Sequence, residues 1–441
     1  MKEDFIVYLW KHRILRGQPL LTIGGERLEI LSPGQENPDS GPDFLAATVR
    51  IGGTLWAGNV EIHVRSSQWF AHNHHKDKAY ANIILHVVYL YDKEVLDHCG
   101  KPIHHLEAKG YFDPALQHNY SFLLSNKGWI PCEKQLQKQD SFILNHWIWR
   151  LVINRLERKA EEVHHYLKYF DQHKEKTLLF LIARSLGGKT NATAIGMLIQ
   201  RISYEILLRN HDNIFGLEAM LFGLAGMLER PFSESYPEKL RMEYHYQQKK
   251  HSLPSPLNFE TWKYARMRPS NFPDLRIAQL AMMIHINSGL LFNKIILQRD
   301  AANMVKLLAV ATSNYWSTHY RLCKPAEKKM RPVGESTIQN ILINAVAPMS
   351  FVQARESHGT ESTEAALNLL EQLPPENNTI IRKWNSIIPL PSRPRNAAAT
   401  QGLLELRKYY CVPRKCLKCM IGHRILGGKN ASAEYTNMTL T

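Results

Sequence analysis

Between Pro42 and Tyr89 the chain places Asp43, Glu61 and His63 ahead of a dense polar set: Trp69, His72, His74, His75, Asp77, Tyr80 and His86. Carboxylates and imidazoles hold divalent ions and move protons near neutral pH, and no other stretch of the sequence packs so many into so few residues. Val60-Glu61-Ile62-His63-Val64-Arg65 alternates strictly. As a strand it puts Glu61, His63 and Arg65 on one face and three β-branched residues on the other, so that an acid and an imidazole stand side by side over an apolar floor.

The elements that must carry these groups follow from the period of the apolar residues. Phe5 to Leu15 reads as a short amphipathic helix, and 27–31, 44–51, 55–64 and 83–91 read as strands. A helix is expected to begin between Asp77 and Asn82, with Asp77 in its first turn. After residue 140 the period changes from two to about 3.6. Helices are expected over 142–167, 176–186, from Asn191 to about Arg209, from Pro273 onward, and over 299–312, 335–346, 361–373 and 396–410. The fold expected is an α/β (α+β) N-terminal domain over 1–135, a helical domain over 136–388, and a C-terminal helical segment over 389–441 whose cysteine cluster packs on the rest. Pro389 to Pro394 reads as an extended linker.

The register of the 44–51 and 55–64 hairpin decides whether the acids meet. A two-residue loop at Gly52-Gly53 that pairs Ile51 with Thr54 sets Asp43 opposite Ile62, with its side chain on the wrong face. A three-residue loop with a bulge sets it opposite Glu61.

Composition restricts the function classes. The chain has 441 residues, 44% of them hydrophobic, and a formal net charge of +15 from 55 basic and 40 acidic residues. Such a surplus attracts phosphate backbones, which makes nucleic acid the expected partner. Apolar runs such as 221–228 are too short to cross a bilayer, and no signal-peptide stretch follows Met1, so a cytoplasmic protein is expected and no membrane partner. Gly187-Gly188-Lys189-Thr190 has the tail of a phosphate-binding loop, but it follows a helix and has Ala183 where the first glycine is required.

The order helix, three strands, helix, strand, with Pro42-Asp43 opening the second strand and Glu61-Ile62-His63 on the third, resembles the PD-(D/E)XK, or restriction-endonuclease-like, superfamily over about residues 1–110. The resemblance implies a mixed-sheet nuclease core that hydrolyses phosphodiesters in DNA or RNA. Asp43 and Glu61 would hold Mg²⁺ or Mn²⁺, and His63, standing where the family usually has Lys, would serve the attacking water. Glu3 reads as a surface charge, with an additional catalytic carboxylate as the other reading. Arg65, Trp69, His72, His74, Asp77 and Tyr80 form the set that would orient substrate phosphate; His72 and His74 as ligands of a transition metal, or a solvated turn, are the alternatives. His86, inside an apolar strand, reads as a hydrogen-bonded core histidine, and His98, His104, His105 and His118 show no telling spacing. The rival to an enzyme is a nucleic-acid-binding or assembly protein on a degenerate nuclease core.

Cys411, Cys416 and Cys419, with His423 four residues on, give a second metal signature. His423, Cys132 or Cys323 would supply the fourth ligand. Structural zinc is the first expectation because its spacing tolerances are broad. Some nucleases of the same superfamily hold an iron–sulfur cluster with one remote cysteine and a clustered C-terminal trio, and this trio resembles that arrangement in outline. The full chain also resembles an uncharacterised bacterial family, a domain of unknown function. That resemblance rests on Gly41-Pro42-Asp43-Phe44, Gly58-Asn59-Val60-Glu61-Ile62-His63, Leu85-His86-Val87-Val88, Arg268-Pro269-x-Asn271-x-Pro273 and the cysteine trio, and it implies no activity.

Overall fold

The computed structural model describes residues 1–16, 19–97, 99–356, 360–389 and 392–427. His98 and part of the expected Pro389–Pro394 linker lie outside them. The chain divides into two units. Unit 1 comprises residues 1–147 and 407–441, and unit 2 comprises 148–406. The division therefore falls twelve residues later than the sequence suggests, and the C-terminal segment is split at 406/407, its cysteine-bearing part belonging with the sheet.

Unit 1 opens with helix α1 (Glu3–Lys11), followed by β1 (Leu20–Leu21), β2 (Arg27–Ser32), β3 (Gln35–Glu36), β4 (Phe44–Ile51) and β5 (Thr54–Arg65). A one-turn helix α2 (Gln68–Ala71) and two 3₁₀ turns lead to β6 (Ile83–Leu90), and β7 (His105–Glu107) follows. The sheet order is β1-β2-β4-β5-β6-β7, with β3 added against β4. Strands up to β5 pair antiparallel, whereas β5, β6 and β7 are parallel. The sheet is thus mixed. α1 buries Phe5, Ile6, Leu9 and Trp10, and β6 is buried along Ile84 to Val88, as a central parallel strand covered on both faces must be.

The helix expected after the histidine-rich turn is absent. His74–Lys76 and Lys78–Tyr80 form 3₁₀ turns instead, because Asn73 takes a left-handed conformation (φ 61°) and Asp77 is extended, its side chain capping the Ala79 amide. Unit 1 continues with α3 (Pro114–Ser125), α4 (Glu133–Leu136) and the start of α5 (Ser141–Tyr169).

Unit 2 is mostly helical. α6 (Lys174–Gln200) joins two expected helices across a kink at Gly188, whose φ of 58° and ψ of −161° are not helical. α7 (Tyr204–Arg209), α8 (Ile214–Leu224), α9 (Ser235–His251) and α10 (Pro273–Ile286) follow. Gly223 lets α8 lie directly on the Tyr244 ring of α9, which a Cβ would meet at 2.0 Å. Arg276 is buried and donates to Asn271, Gln279 and Thr337, which accounts for Asn271 in the Arg-Pro-x-Asn-x-Pro motif. No helix among the described residues is long and apolar enough to cross a membrane.

Candidate metal centre on the sheet

Both expected registers turn out to be half right. The loop at Gly52-Gly53 has two residues and pairs Ile51 with Thr54. The register holds as far as Ala47 opposite Gly58 and then shifts, so that Phe44 faces Val60. The extra residue is a bulge in β4 at Leu45-Ala46, where Ala46 has φ 53°. It brings Asp43 opposite Glu61 without lengthening the loop. Gly34 presses on this bulge from the side: at φ 84°, a Cβ there would lie 2.5 Å from the Leu45 carbonyl oxygen and 2.9 Å from the Ala47 nitrogen.

The two acids then interlock. The Asp43 amide donates to Glu61 Oε2 at 3.1 Å, and the Ile62 amide donates to Asp43 Oδ2 at 2.9 Å. Glu61 is buried, and loss of water together with the neighbouring Asp43 pushes its carboxyl up to about 9. Burial pushes Asp43 up to about 6, against the Ile62 amide, with Glu3 and Glu36 adding to the rise. Glu3, which the sequence suggests to be a surface charge, is half-buried on α1 and acts on both acids.

Behind the acids runs a line of imidazoles. His63 Nε2 meets His72 Nδ1 at 3.1 Å, His63 Nδ1 meets His86 Nε2 at 2.9 Å, and His86 Nδ1 meets His105 Nε2 at 3.2 Å. The line ends where His105 Nδ1 lies 2.7 Å from the carbonyl oxygen of Ile103. That oxygen only accepts, so His105 carries its proton on Nδ1. Burial holds His63 near 3 and His105 near 4, and His86 well below its usual range, so all three rings are neutral at pH 7 and each carries one proton. His105 Nε2 therefore accepts from His86 Nδ1, His86 Nε2 accepts from His63 Nδ1, and His63 is left with a lone pair on Nε2. One backbone carbonyl thus sets the tautomers of three rings.

That lone pair points into a ligand set. One nitrogen each from His63, His72 and His74 lie within 4.8 Å of one another. Glu61 Oε1 is 3.5 Å from His63 Nε2 and 3.2 Å from His74 Nε2. Three imidazoles and one carboxylate oxygen suit a first-row transition ion better than Mg²⁺, which prefers an all-oxygen octahedron. The His63 ring also has the outer partner, through Nδ1–H, that orients most metal-bound histidines. The left-handed Asn73 turns the chain so that His72 and His74 both face His63, and the His74 ring stacks on Tyr80 with centroids 3.8 Å apart. Tyr80 is half-buried, and burial with Glu61 and Asp43 nearby raises its hydroxyl to about 12.

Of the other expected substrate-binding residues, Trp69 is only 1% exposed: it packs with Val95 and Ile103 and its ring lies 5.4 Å from those of His74 and His86, so it is a core residue that supports the site. Arg65 is exposed and reaches Asp92 at 3.4 Å, and Asp77 serves as a turn cap.

With this geometry in view, comparison with known proteins gives one family. Residues 3–379 match the family described as a protein of unknown function, DUF2851. The chain belongs to DUF2851. No curated protein and no solved structure matches it.

The DUF2851 match ends before the cysteine trio. Cys411, Cys416 and Cys419 are all buried, with no disulfide. His423 Nδ1 is 2.8 Å from the Tyr8 hydroxyl and its ring packs on His12. Cys323 lies in unit 2. Beside the trio, unit 1 holds a cavity of about 650 Å³ lined by Lys2, Lys11, His12, Arg414, Lys415 and Lys418, with Asp4 and Glu36 among the lining residues. Glu36 binds Lys11 at 2.6 Å and Lys418 at 2.8 Å, and its charge is felt at Asp43. Of the groups at the candidate metal centre, His105 is the one that the sequence does not point to. Its only local signal was an imidazole in a short apolar stretch, and its partner stands 19 residues earlier on a parallel strand.

Proposed function

We propose that this DUF2851 protein is a metal-dependent phosphodiester hydrolase acting on nucleic acid. The observation that carries the proposal is the convergence of Asp43, Glu61 and the His63–His72–His74 set beside the β4–β5 pair. The order of α1, the β2-β4-β5 meander and parallel β6 supports a restriction-endonuclease-like core, and the cavity of unit 1 lined by Lys2, Lys11, Arg414, Lys415 and Lys418 supports a polyanionic substrate. Of the two ions expected from the sequence, the nitrogen-rich donors favour Mn²⁺.

Glu61, His63, His72 and His74 would hold the ion. A divalent ion there would neutralise charge on the phosphate and acidify a water. His63 is fixed by its own ring partners with its lone pair inside the ligand set, so it is a ligand in this reading and not the base. Asp43 is held through Oδ2 and exchanges its proton near neutrality, so it would accept the proton of the attacking water through Oδ1. Lysines of the cavity would bind flanking phosphates.

Labelled single-stranded and duplex DNA and RNA, incubated with Mn²⁺, Mg²⁺ or neither, test this beside Glu61→Ala and His74→Ala. Cleavage that needs the ion and is lost in both variants is the expected result. Binding without cleavage under every condition, equal in all three proteins, would contradict it and favour the nucleic-acid-binding rival, to which the basic cavity also points.

A further inference from the structure

Away from the sheet, unit 2 presents six exposed cations on two neighbouring segments. Lys263, Arg266 and Arg268 follow the 3₁₀ turn at Phe259–Thr261, and Lys324, Lys328 and Lys329 lie in and after the hairpin of β8 (His319–Arg321) and β9 (Lys324–Pro325). We propose that these two segments form a binding surface for single-stranded nucleic acid. The inference rests on the reading above only in taking nucleic acid as the partner, and it shares no residue with the metal centre or the unit 1 cavity.

The two segments are joined over one buried carboxylate. Asp274, in the first turn of α10, accepts from the Tyr264 hydroxyl at 2.5 Å and from the Leu322 amide at 3.1 Å. The Arg321 guanidinium lies 4.2 Å from the centre of the Tyr264 ring and 5.8 Å from that of Phe259. Three more buried polar residues hold the same stretches of backbone. Asn191 of α6 exchanges two hydrogen bonds of 2.9 Å with the main chain of Lys263, Arg276 donates to Asn271 at 2.7 Å, and Gln279 donates to the carbonyl oxygens of Arg331 and Pro332. Asn191, Asp274, Arg276 and Gln279 are each at most 6% exposed. Burying polar groups is unfavourable unless they are hydrogen-bonded, and here the bonds go to the segments that carry the cations. Each segment also holds a left-handed residue other than glycine, Arg266 at φ 59° and Cys323 at φ 54°, a conformation that persists only where the surroundings fix it. The core thus sets the cationic backbone in place before any ligand arrives.

Charge and rings select the ligand. Arg321 and Lys324 stand opposite each other in the β8–β9 pair, where like charges repel. Among the described residues no ion pair neutralises Lys324 or the other five exposed cations, and the acids on the two segments are Glu260 and Glu327. Such an unbalanced group takes a polyanion. Phe259, 40% exposed, stacks on Tyr264 with centroids 6.1 Å apart. An open ring beside phosphate-binding cations is a stacking platform for unpaired bases, which a duplex keeps inside its own stack.

The test is fluorescence anisotropy of a labelled oligothymidylate titrated with the full chain in EDTA at several salt concentrations. Lys263→Ala/Arg266→Ala/Arg268→Ala and Lys324→Ala/Lys328→Ala/Lys329→Ala should each weaken binding by about tenfold or more and flatten the slope of log affinity against log salt by about two, as loss of three single-strand phosphate contacts requires. Phe259→Ala should weaken binding by about fivefold with the slope unchanged. Thermal unfolding of each variant, expected to match wild type because the altered side chains are exposed, separates lost contacts from lost structure. Unchanged affinity and slope in both triple variants, or loss confined to Lys11→Ala/Lys415→Ala in the unit 1 cavity, would overturn the surface. Polyglutamate bound by the wild-type chain as tightly as oligothymidylate, or duplex DNA bound more tightly than either, would overturn the single-stranded ligand. Without divalent ion the assay is silent on the metal centre, so failure of the hydrolase reading shows in the cleavage assay alone.

Discussion

Two buried glutamates, one in each unit, show how a satisfied acid differs from one that would hold a cation in the proposed function. Glu218, in α8 of unit 2, is fully buried, yet it accepts from the Tyr236 hydroxyl at 2.6 Å, the Ser313 hydroxyl at 2.8 Å and the Trp316 indole N–H at 3.2 Å. Three neutral donors meet its two oxygens, and nothing further is needed. Glu61, 5% exposed, accepts one amide and otherwise faces a second carboxyl, Glu3 and neutral imidazoles. Burial raises both acids. Only Glu61 has a second carboxyl and imidazole nitrogens as its neighbours, an arrangement that a bound cation would complete under the proposed function.

Substitutions at the two acids should therefore have opposite consequences. Glu61→Ala is expected to lower ion-dependent cleavage by about a hundredfold or more, while the melting temperature of the metal-free protein stays level or rises because a strained acid is removed. Glu218→Ala, which strands three buried donors, should cost about 3 kcal/mol in denaturant unfolding and leave the Mn²⁺ affinity of unit 1 unchanged. Equal loss of stability at both sites would erase the distinction.

The comparison sharpens further at residues that touch no ligand. Gly34→Val combines a side chain at φ 84° with contact against the β4 bulge, and should cost about 2 kcal/mol while weakening ion binding through displacement of Asp43. His105→Leu removes the acceptor that fixes the imidazole line. It should weaken Mn²⁺ binding by about tenfold, read by titration calorimetry, with a smaller effect on unfolding.

The smallest effect is in pH. Glu61, raised from 4.5 to about 9, favours the folded state in its neutral form, so that contribution is present below pH 4.5 and is lost as pH rises through about 9. His63, lowered from 6.5 to about 3, acts in the opposite sense: its contribution is present above pH 6.5 and is lost as pH falls towards about 3. Between about pH 7 and 9 the histidine contribution is constant and Glu61 alone of this pair titrates. The metal-free protein should lose melting temperature across that window relative to Glu61→Gln, and saturating Mn²⁺, which holds Glu61 ionised, should remove the difference.

Much of unit 1 was legible because its strands are long and regular. The apolar period marks 44–51 as the strand that β4 occupies, and places β5 and β6 within a residue of their observed ends. The acids and His63 were legible for the same reason, since strict alternation fixes which side chains share a face. What decided their meeting was not. Ala46 in a left-handed conformation has no local signature, and the bulge is favoured by the approach of Gly34 from the turn between β2 and β3. His105 and Glu3 reach the centre through a three-residue parallel strand and a docked helix. Each depends on contacts between segments far apart in the chain, which periodicity does not encode. The 3₁₀ turns at 74–80 had a local cause in Asn73 and Asp77, but a helix-starting pattern was equally compatible with those residues.

The most direct test of the sheet centre is anomalous X-ray scattering at the manganese edge from crystals of the full chain grown with Mn²⁺. A single strong peak within bonding distance of Glu61, His63, His72 and His74, and absent from Glu61→Gln crystals, is the predicted result. No peak there at saturating Mn²⁺, or an ion bound elsewhere in the wild-type chain and in Glu61→Gln alike, would contradict it.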